Sequence, residues 1–222
     1  MTLINRFSNF QLRLATTILG LCGLFFLYYY GNTSALLALI VGCAYWILYN
    51  EMPHLYDHYH IGYLVLSLVY IGIPTLMLIF FAITPHYHSL LLPLCILTFT
   101  NDAAAYVSGT LFGKHKLFPQ ISPKKSIEGA IGAYLATGIM LGIFINKITQ
   151  ENILFFIMLS ASISTLAIVG DFFESYLKRA AGIKDTGTLL PGHGGLLDRV
   201  DAILFVTVLF YFLRDKILIL LC

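Results

Sequence analysis

The chain has 222 residues, of which 59% are apolar and 11% are charged, and its formal net charge is +2. Water-soluble domains are roughly 45–50% apolar and about 25% charged, so this composition and a mean hydropathy of +0.85 exclude an ordinary soluble domain. They indicate an integral membrane protein, and the alternating pattern of a membrane barrel is absent.

Apolar runs of about 20 residues are long enough to cross the hydrocarbon core as helices. The candidate spans are Leu12–Tyr30, Ser34–Asn50, Ile61–Ile83, Ser89–Phe112, Ile127–Asn146, Ile153–Gly170 and Ala202–Cys222. Charged residues interrupt the last run at 214–216, so the pattern allows six to eight spans. We predict an all-α, polytopic transmembrane bundle of about seven spans that forms a single membrane domain over residues 1–222.

The first run is too long for the apolar core of a signal peptide and ends in tyrosines, so we expect a retained helix. Basic residues predict the orientation, because with seven spans most of them fall on one side, which the positive-inside rule makes cytoplasmic. They are Arg6, Arg13, Lys114, Lys116, Lys124, Lys125, Lys178, Arg179, Lys184 and Arg199. Lys147 falls on the opposite side, and Arg214 and Lys216 fit the rule less well. Basic cytoplasmic loops suit anionic lipid or nucleotide.

A histidine-rich segment follows the second run. His54, His58 and His60 stand near Asp57 and Glu51, and we assign all five to one loop. Their spacing matches no standard zinc site. We therefore interpret them as interfacial loop residues rather than as a metal site.

An acidic residue, Asp102, stands inside the fourth run. A low-dielectric environment favours the protonated carboxyl, so Asp102 stays ionised only beside a cation, a metal or water. One interpretation is a neutral carboxyl that bonds to a neighbouring helix. The other is a carboxylate that faces a polar cavity, which Asn101 beside it and Tyr106 one turn later favour.

A basic segment, Ile121–Gly129, precedes the fifth run. Ser126 is suited to cap the helix that follows, and Glu128 in the first turn suits the helix dipole. Ordinary membrane anchoring and capping would explain these residues. Alternatively, Lys124 and Lys125 form a phosphate cradle together with the free N–H groups of the helix start.

Charge and glycine are concentrated at residues 170–201, between the last two runs. Polar side chains there recur at spacings of three and four, so they share one face if the sixth run continues as a helix. They are Asp171, Glu174, Ser175 and Lys178. Asp198 and Asp201 likewise share a face at the start of the last run, and the glycines of Pro191–Gly195 let backbone approach a ligand closely. A salt-bridged helical hairpin is the alternative, but the concentration of carboxylates favours a divalent cation such as Mg²⁺.

This stretch resembles the signature of the phosphatidate cytidylyltransferases, also called CDP-diacylglycerol synthases. That signature runs Ser-x-x-Lys-Arg, four residues, Lys-Asp, and ends His-Gly-Gly-x-x-Asp-Arg-x-Asp. Its fixed positions correspond here to Ser175, Lys178, Arg179, Lys184, Asp185, His193, Gly194, Gly195, Asp198, Arg199 and Asp201. Together with similar segments upstream, the resemblance covers roughly residues 98–205, whereas residues 1–90 match only as hydrophobic spans. Ala103 and Ala104 depart from the family, which usually has a hydroxyl residue directly after the aspartate that matches Asp102.

The resemblance implies cytidylyl transfer from CTP to phosphatidate, which gives CDP-diacylglycerol and pyrophosphate for phospholipid biosynthesis. The expected cofactor is Mg²⁺, with a second, monovalent cation left open, and the expected principal ligands are Asp171 and Asp198, accompanied by Asp201 and Glu174. We expect phosphates to bind Lys178, Arg179 and Arg199, and the phosphatidate headgroup or the nucleotide to bind Lys124, Lys125 and Ser126. The other expected substrate contacts are Asp102, Glu128, Ser175, Lys184, Asp185, His193, Gly194 and Gly195.

Two other functions use similar elements. A CTP-dependent lipid or polyprenol kinase would release CDP instead of pyrophosphate, and a cation- or proton-coupled transporter would place its acids near the bilayer midplane. Most of the acids here stand at span ends on one side, which favours chemistry at the membrane surface. The expected partners are CTP, phosphatidate and membrane lipid, without nucleic acid, and a homodimer is left open. The expected location is the bacterial inner membrane, with the site facing the cytoplasm.

Overall fold

The computed structural model describes residues 23, 28–29, 31–56, 61–145, 149, 152–187, 189 and 194–221. Its helices are α1 Thr33–Leu55, α2 Ile61–Ile83, α3 Pro85–His88, α4 Leu91–Phe112, α5 Ile127–Phe144, α6 Ile153–Ala180 and α7 Leu197–Leu221. Two of them contain π-helical turns, Ile47–Glu51 in α1 and Ser67–Gly72 in α2. Most of the predicted first span lies outside the described residues.

Five helical segments in the described part of the chain are long and apolar enough to cross a membrane. They are Thr33–Leu55, Ile61–Ile83, Pro85–Phe112, Ile127–Phe144 and Ile153–Ala180. Helix α7 has 25 residues but carries charged side chains near both ends. The predicted all-α, polytopic membrane fold is confirmed, and the number of seven spans stays a prediction.

The π-helical turn of α1 changes the interpretation of the segment that the sequence assigned to a loop. The Met52 N–H donates to the carbonyl five residues earlier, and the helix continues to Leu55. Glu51 and His54 therefore lie on a helix, and the loop assignment is wrong for both. Helical structure persists because the apolar side chains of Met52 and Leu55 are buried. A π-helical turn accommodates one extra residue, and such turns occur frequently at functional sites.

Helices α4 and α5 approach each other closely through small residues. A Cβ atom added at Gly129 would lie 2.7 Å from the carbonyl oxygen of Ala105. A Cβ atom added at Gly132 would lie 2.0 Å from Ser108 Oγ. Helix association in membranes depends on van der Waals packing of this kind, because lipid provides no hydrophobic driving force between helices.

A short antiparallel hairpin, which the sequence analysis did not predict, joins α4 to α5. Its strands are β1 Lys116–Phe118 and β2 Ser122–Ser126, with Lys116 opposite Ser126. Ser126 also caps α5, because its hydroxyl oxygen accepts the Gly129 N–H at 3.1 Å. The predicted N-cap is therefore confirmed, and the cap ties the hairpin directly to α5.

Helices α6 and α7 bring the charged ends of two apolar segments together. Buried apolar side chains such as Leu159 and Ile163 of α6 and Phe210 of α7 belong to one core cluster. At Gly170 the helices are so close that an added Cβ atom would lie 2.9 Å from the carbonyl oxygen of Asp201. Because Gly170 has no side chain, the polar end of α6 can lie directly against the start of α7.

Candidate active site

Three carboxyl groups converge where α6 passes α7. Asp171, Glu174 and Asp201 each offer one oxygen, and these oxygens lie within 4.8 Å of one another. Asp171 and Glu174 are three residues apart on α6, so the structure confirms the helical face that the spacing predicted. Glu174 is 1% exposed and Asp201 is 5% exposed. Carboxylates this deeply buried require nearby positive charge or protons.

Two lysines provide positive charge at this cluster. Lys178 Nζ lies 2.6 Å from Glu174 Oε2 and 2.6 Å from Asp198 Oδ1, so its ammonium group bridges α6 and α7. Lys125, on β2, forms an ion pair with Asp171 Oδ2. The acids predicted from one segment of the sequence and a lysine predicted from another therefore belong to a single site.

Phe118, Ile121 and Lys125 of the hairpin all contact α6. The rings of Phe118 and Phe172 meet edge to face, with their centroids 5.0 Å apart. The Arg179 Nε–H group donates to the carbonyl oxygen of Ile121 at 3.5 Å. The ammonium group of Lys125 itself lies 4.4 Å from the centroid of the Phe172 ring. These contacts fix the strand that carries Lys125 beside the acidic cluster.

The donor set of the cluster fits a hard divalent cation. Mg²⁺ prefers carboxylate oxygens and is commonly held by one or two carboxylates together with substrate phosphates. Glu174 Oε1 is buried and has no hydrogen-bond partner among the described residues. An unpaired buried oxygen is costly, and coordination of a cation by Glu174, Asp171 and Asp201 would remove that cost. Asp198 is not in this group, so its role as a principal metal ligand stays a prediction.

Asp198 organises the connection between α6 and α7. Its Oδ2 accepts the Gly195 N–H at 2.8 Å and the Thr186 N–H at 3.2 Å, while its Oδ1 accepts from Lys178. Burial raises the pKa of Asp198, but the hydrogen bonds that Lys178 and the Gly195 N–H donate outweigh burial and lower the pKa to about 2. Asp198 precedes the apolar part of α7 and is ionised at neutral pH.

The described glycines of the signature lie against carboxylates. Gly194 has a φ of +88°, a left-handed conformation that favours glycine. A Cβ atom added there would lie 2.9 Å from Asp198 Oδ2, and one added at Gly195 would lie 2.1 Å from Thr186 Oγ1. The backbone at these glycines therefore makes a close approach, as predicted, and the groups that it approaches are side chains of the protein itself. His193, predicted to contact substrate, lies outside the described residues.

Glu51 is a polar residue of this region that sequence reasoning did not assign to the site. Its Oε1 accepts the Leu196 N–H and its Oε2 accepts the Leu197 N–H, both at 2.7 Å. The Thr186 hydroxyl donates to Oε2 at 3.0 Å. The carboxylate is 1% exposed although it belongs to α1, far away in the chain. An acid at the end of an apolar run was a detectable signal, but no local pattern identified its partners.

Glu128 and Asp102, two predicted substrate contacts, make hydrogen bonds within the protein. Glu128 Oε2 accepts the Lys114 N–H at 3.1 Å, and His115 Nδ1 lies 2.7 Å from Glu128 Oε1, which fastens the start of the hairpin. Asp102 accepts a hydrogen bond from Asn101 at 3.5 Å on α4. Neither residue is in the three-carboxylate group, and their contacts with substrate stay predictions.

The remaining predicted residues differ in their exposure to solvent. Ser175 lies on α6 next to Glu174, and Arg179 NH1 donates to the Ile183 carbonyl one turn later. The exposed members are Lys124, Arg179, Lys184, Asp185 and Arg199. The site therefore combines buried carboxylates with basic side chains that face outward.

These features define the class of the protein: a polytopic membrane protein with a carboxylate- and lysine-containing site at the junction of two helices. The model of the cytidylyltransferase family matches residues 2–216. The chain belongs to this family.

Several relatives carry the name phosphatidate cytidylyltransferase. The Haemophilus influenzae protein is 44% identical over 124 residues, which are 53% of this chain and 43% of the relative. The Bacillus subtilis protein is 35% identical over 156 residues, 69% of this chain and 58% of the relative. The Rickettsia bellii protein is 33% identical over 164 residues, 71% of each chain. The chain spans about half the length of the first two of these relatives.

Proposed function

We propose that the protein transfers a cytidylyl group from CTP to phosphatidate and produces CDP-diacylglycerol and pyrophosphate. The observation that carries this proposal is the convergence of Asp171, Glu174 and Asp201 beside Lys125 and Lys178. This convergence occurs in a member of the cytidylyltransferase family. Relatives named phosphatidate cytidylyltransferase support phosphatidate as the acceptor.

The reaction joins two anions. A phosphate oxygen of phosphatidate attacks the α-phosphorus of CTP, a new P–O bond forms, and the bond from the α-phosphorus to the bridging oxygen breaks. Pyrophosphate leaves with the electron pair of that bond. A general base is hardly needed, because the attacking oxygen is ionised near neutral pH. The site must instead neutralise repulsion and hold the reactants in line.

The carboxylate cluster suits Mg²⁺ as the cofactor. We assign Asp171, Glu174 and Asp201 as the residues that would hold it, with Asp198 beside them. When bound, the ion would supply positive charge that stabilises negative charge on the phosphates. The protein contributes the fixed geometry of the carboxylates, since these lie on two tightly packed helices.

The basic residues divide into two groups by exposure. The Lys178 side chain is 12% exposed and bonded to two carboxylates, so its task is to keep Glu174 and Asp198 in place. The Lys125 side chain is 26% exposed and can exchange Asp171 for a substrate phosphate. The outward-facing Arg199 is placed to attract anionic substrates.

The substrates also suggest where the reaction takes place. The phosphatidate acyl chains would remain in the bilayer while the headgroup enters the site between helices. Basic residues on the predicted cytoplasmic side favour a site that faces the cytoplasm of a bacterial inner membrane. CTP and phosphatidate are the proposed partners, and a homodimer is compatible with this arrangement.

A product assay tests the proposed activity. The full chain in lipid nanodiscs receives CTP labelled at the α-phosphate, phosphatidate and Mg²⁺, and we expect labelled CDP-diacylglycerol together with equimolar pyrophosphate. Chelation of Mg²⁺ should stop both products. Release of CDP with a newly phosphorylated lipid would replace the proposal with a lipid kinase. Cation flux through proteoliposomes without CTP would indicate a transporter.

Substitution of the carboxylates tests the assignment of residues. Asp171→Asn or Asp201→Asn should lower turnover on the order of 10²–10³-fold, because each removes a carboxylate that would hold the cation whose positive charge stabilises the transition state. Asp198→Asn should have a similar effect through its loss of charge beside Lys178. Asp215→Asn, at the other end of α7, serves as the matched control and should retain activity. Normal turnover in the Asp171→Asn protein would overturn the metal assignment.

A further inference from the structure

We propose that Glu51 is a positioning residue that fixes the connection between α6 and α7 from a separate helix. Its carboxylate would hold the start of α7 and thereby the directions of Asp198 and Asp201. The consequence for turnover rests on the proposed function, whereas the positioning itself can be tested without substrate. The signature segment and the N-terminal part of the chain would then form one functional unit.

Both carboxylate oxygens of Glu51 are engaged. Leu196 and Leu197 each donate a backbone N–H at 2.7 Å, one to each oxygen, and the Thr186 hydroxyl adds a third donor at 3.0 Å. Charge-assisted hydrogen bonds of this kind are roughly twice as strong as neutral ones. The geometry also leaves little space, since a Cβ atom added at Gly195 would lie 2.8 Å from Glu51 Oε2.

The two backbone donors stand at the beginning of α7, where N–H groups have no partner within the helix. A negative charge at this end also interacts favourably with the helix dipole. Glu51 therefore performs for α7 the task of a capping residue, but from another helix. Because Asp198 follows Leu197 directly and Asp201 stands one turn later, the position of Leu197 determines where both carboxylates point.

Thr186 links Glu51 to the carboxylate that organises the connection. Its hydroxyl oxygen lies 3.0 Å from Glu51 Oε2 and 3.2 Å from Asp198 Oδ2. His54, one turn after Glu51, adds a second tether, because its Nδ1 lies 3.1 Å from the carbonyl oxygen of Thr186. The same segment of α1 thus contacts both Thr186 and the start of α7.

Glu51→Gln tests the proposal with a side chain of the same shape. A carboxamide has one acceptor oxygen, so its NH₂ group would face a backbone N–H or the Thr186 hydroxyl. Loss of a residue that orients the ligands of a metal site typically lowers activity, so kcat should fall by about 10- to 100-fold while KM for CTP changes little. Glu51→Asp should recover part of the rate. Asn50→Ala should leave kcat unchanged, because the Asn50 amide donates to the Trp46 carbonyl within α1.

A double-substitution cycle tests the link through Thr186. Thr186→Val removes the hydroxyl that Glu51 and Asp198 share. Because the two substitutions disrupt a common contact, their combined effect on kcat should be smaller than the product of the single effects. Independent, multiplicative effects would contradict the coupling.

Hydrogen–deuterium exchange in nanodiscs gives a readout that does not depend on catalysis. Glu51→Gln should accelerate exchange in a peptide that contains residues 194–200, and exchange within α5 should stay at the wild-type rate. If the wild-type protein makes no CDP-diacylglycerol but this peptide still responds, the proposed function fails and the positioning role stands. Unchanged exchange, or faster exchange with unchanged kcat in an active enzyme, would overturn the role of Glu51.

Discussion

Lys178 illustrates how one side chain controls the geometry of the site. Its ammonium group contacts Glu174 on α6 and Asp198 on α7, and the carboxylate side chains are 2% and 7% exposed. Removal of one partner from a buried ion pair commonly costs about 3–5 kcal/mol, because the remaining charge is left uncompensated. Here removal of the lysine would leave two buried carboxylates next to each other.

We therefore expect Lys178→Met to lower the free energy of unfolding by about 3–5 kcal/mol and to abolish turnover. Lys216→Met, at an exposed position of α7, is the matched control and should change stability by less than about 0.5 kcal/mol. Denaturant unfolding of both variants in detergent micelles measures the difference. Equal stability of the two variants would show that Lys178 is not essential to the buried network.

How much of the site could be predicted from the sequence depends on how far apart in the chain the contacting residues are. Asp171, Glu174 and Lys178 could be placed on one face from their spacing, because neighbours on a helix are three and four residues apart. The Glu174–Lys178 ion pair confirms that placement. Glu51 could not be assigned to the site, because its partners stand about 145 residues away and leave no periodic pattern.

At the scale of elements, the contact between α4 and α5 depends on glycine. The nearest neighbour of a Cβ atom at Gly129 is the Ala105 carbonyl oxygen at 2.7 Å, and a backbone atom cannot rotate away. At Gly138, farther along α5, the nearest atom is Ser160 Oγ at 3.9 Å, an ordinary contact. The same substitution should therefore have opposite effects at these two positions.

Gly129→Ala should destabilise the protein by about 1–3 kcal/mol, because the helices must separate to admit the methyl group. Gly138→Ala should be neutral or stabilising by up to about 1 kcal/mol, since alanine restricts the unfolded chain more than glycine does. Thermal unfolding in detergent measures both as changes in Tm. A lower Tm for Gly138→Ala than for Gly129→Ala would contradict the packing argument.

The sequence predicted the long, apolar helices, whereas the short or polar elements were missed. The second described helix has the predicted bounds, Ile61–Ile83, because its hydrophobic run ends abruptly at polar residues. The hairpin was missed because β2 is short and contains Pro123 and lysines, which are uncommon in strands. The π-helical turn Ile47–Glu51 was missed because one extra residue per turn leaves hydropathy unchanged.

At the scale of the whole molecule, the orientation across the membrane can be tested with the hairpin turn as a marker. Gln120, exposed between β1 and β2, should lie on the cytoplasmic side because basic residues surround it. His86, exposed in the short helix α3 that precedes α4, should lie outside. The prediction concerns only these two faces and does not depend on the activity of the enzyme.

Single cysteines at these positions provide the measurement, in a background in which the native cysteines are serine. The native cysteines are Cys22, Cys43, Cys95 and Cys222. A membrane-impermeant maleimide should label His86→Cys in spheroplasts and label Gln120→Cys only after the membrane is opened. The reverse pattern would place the carboxylate cluster on the outer face and exclude cytoplasmic CTP as its substrate.

The π-helical turn that ends at Glu51 also constrains how the gene can change. The turn holds one residue more than an ordinary helical turn, so loss of one codon within it would leave a regular α-helix and keep the flanking parts of α1 in register. Loss of one codon in the regular part of α1 just before the turn would instead rotate Glu51 by about 100°, away from Leu196 and Leu197. Chimeras between relatives should therefore keep this stretch of α1 at its native length.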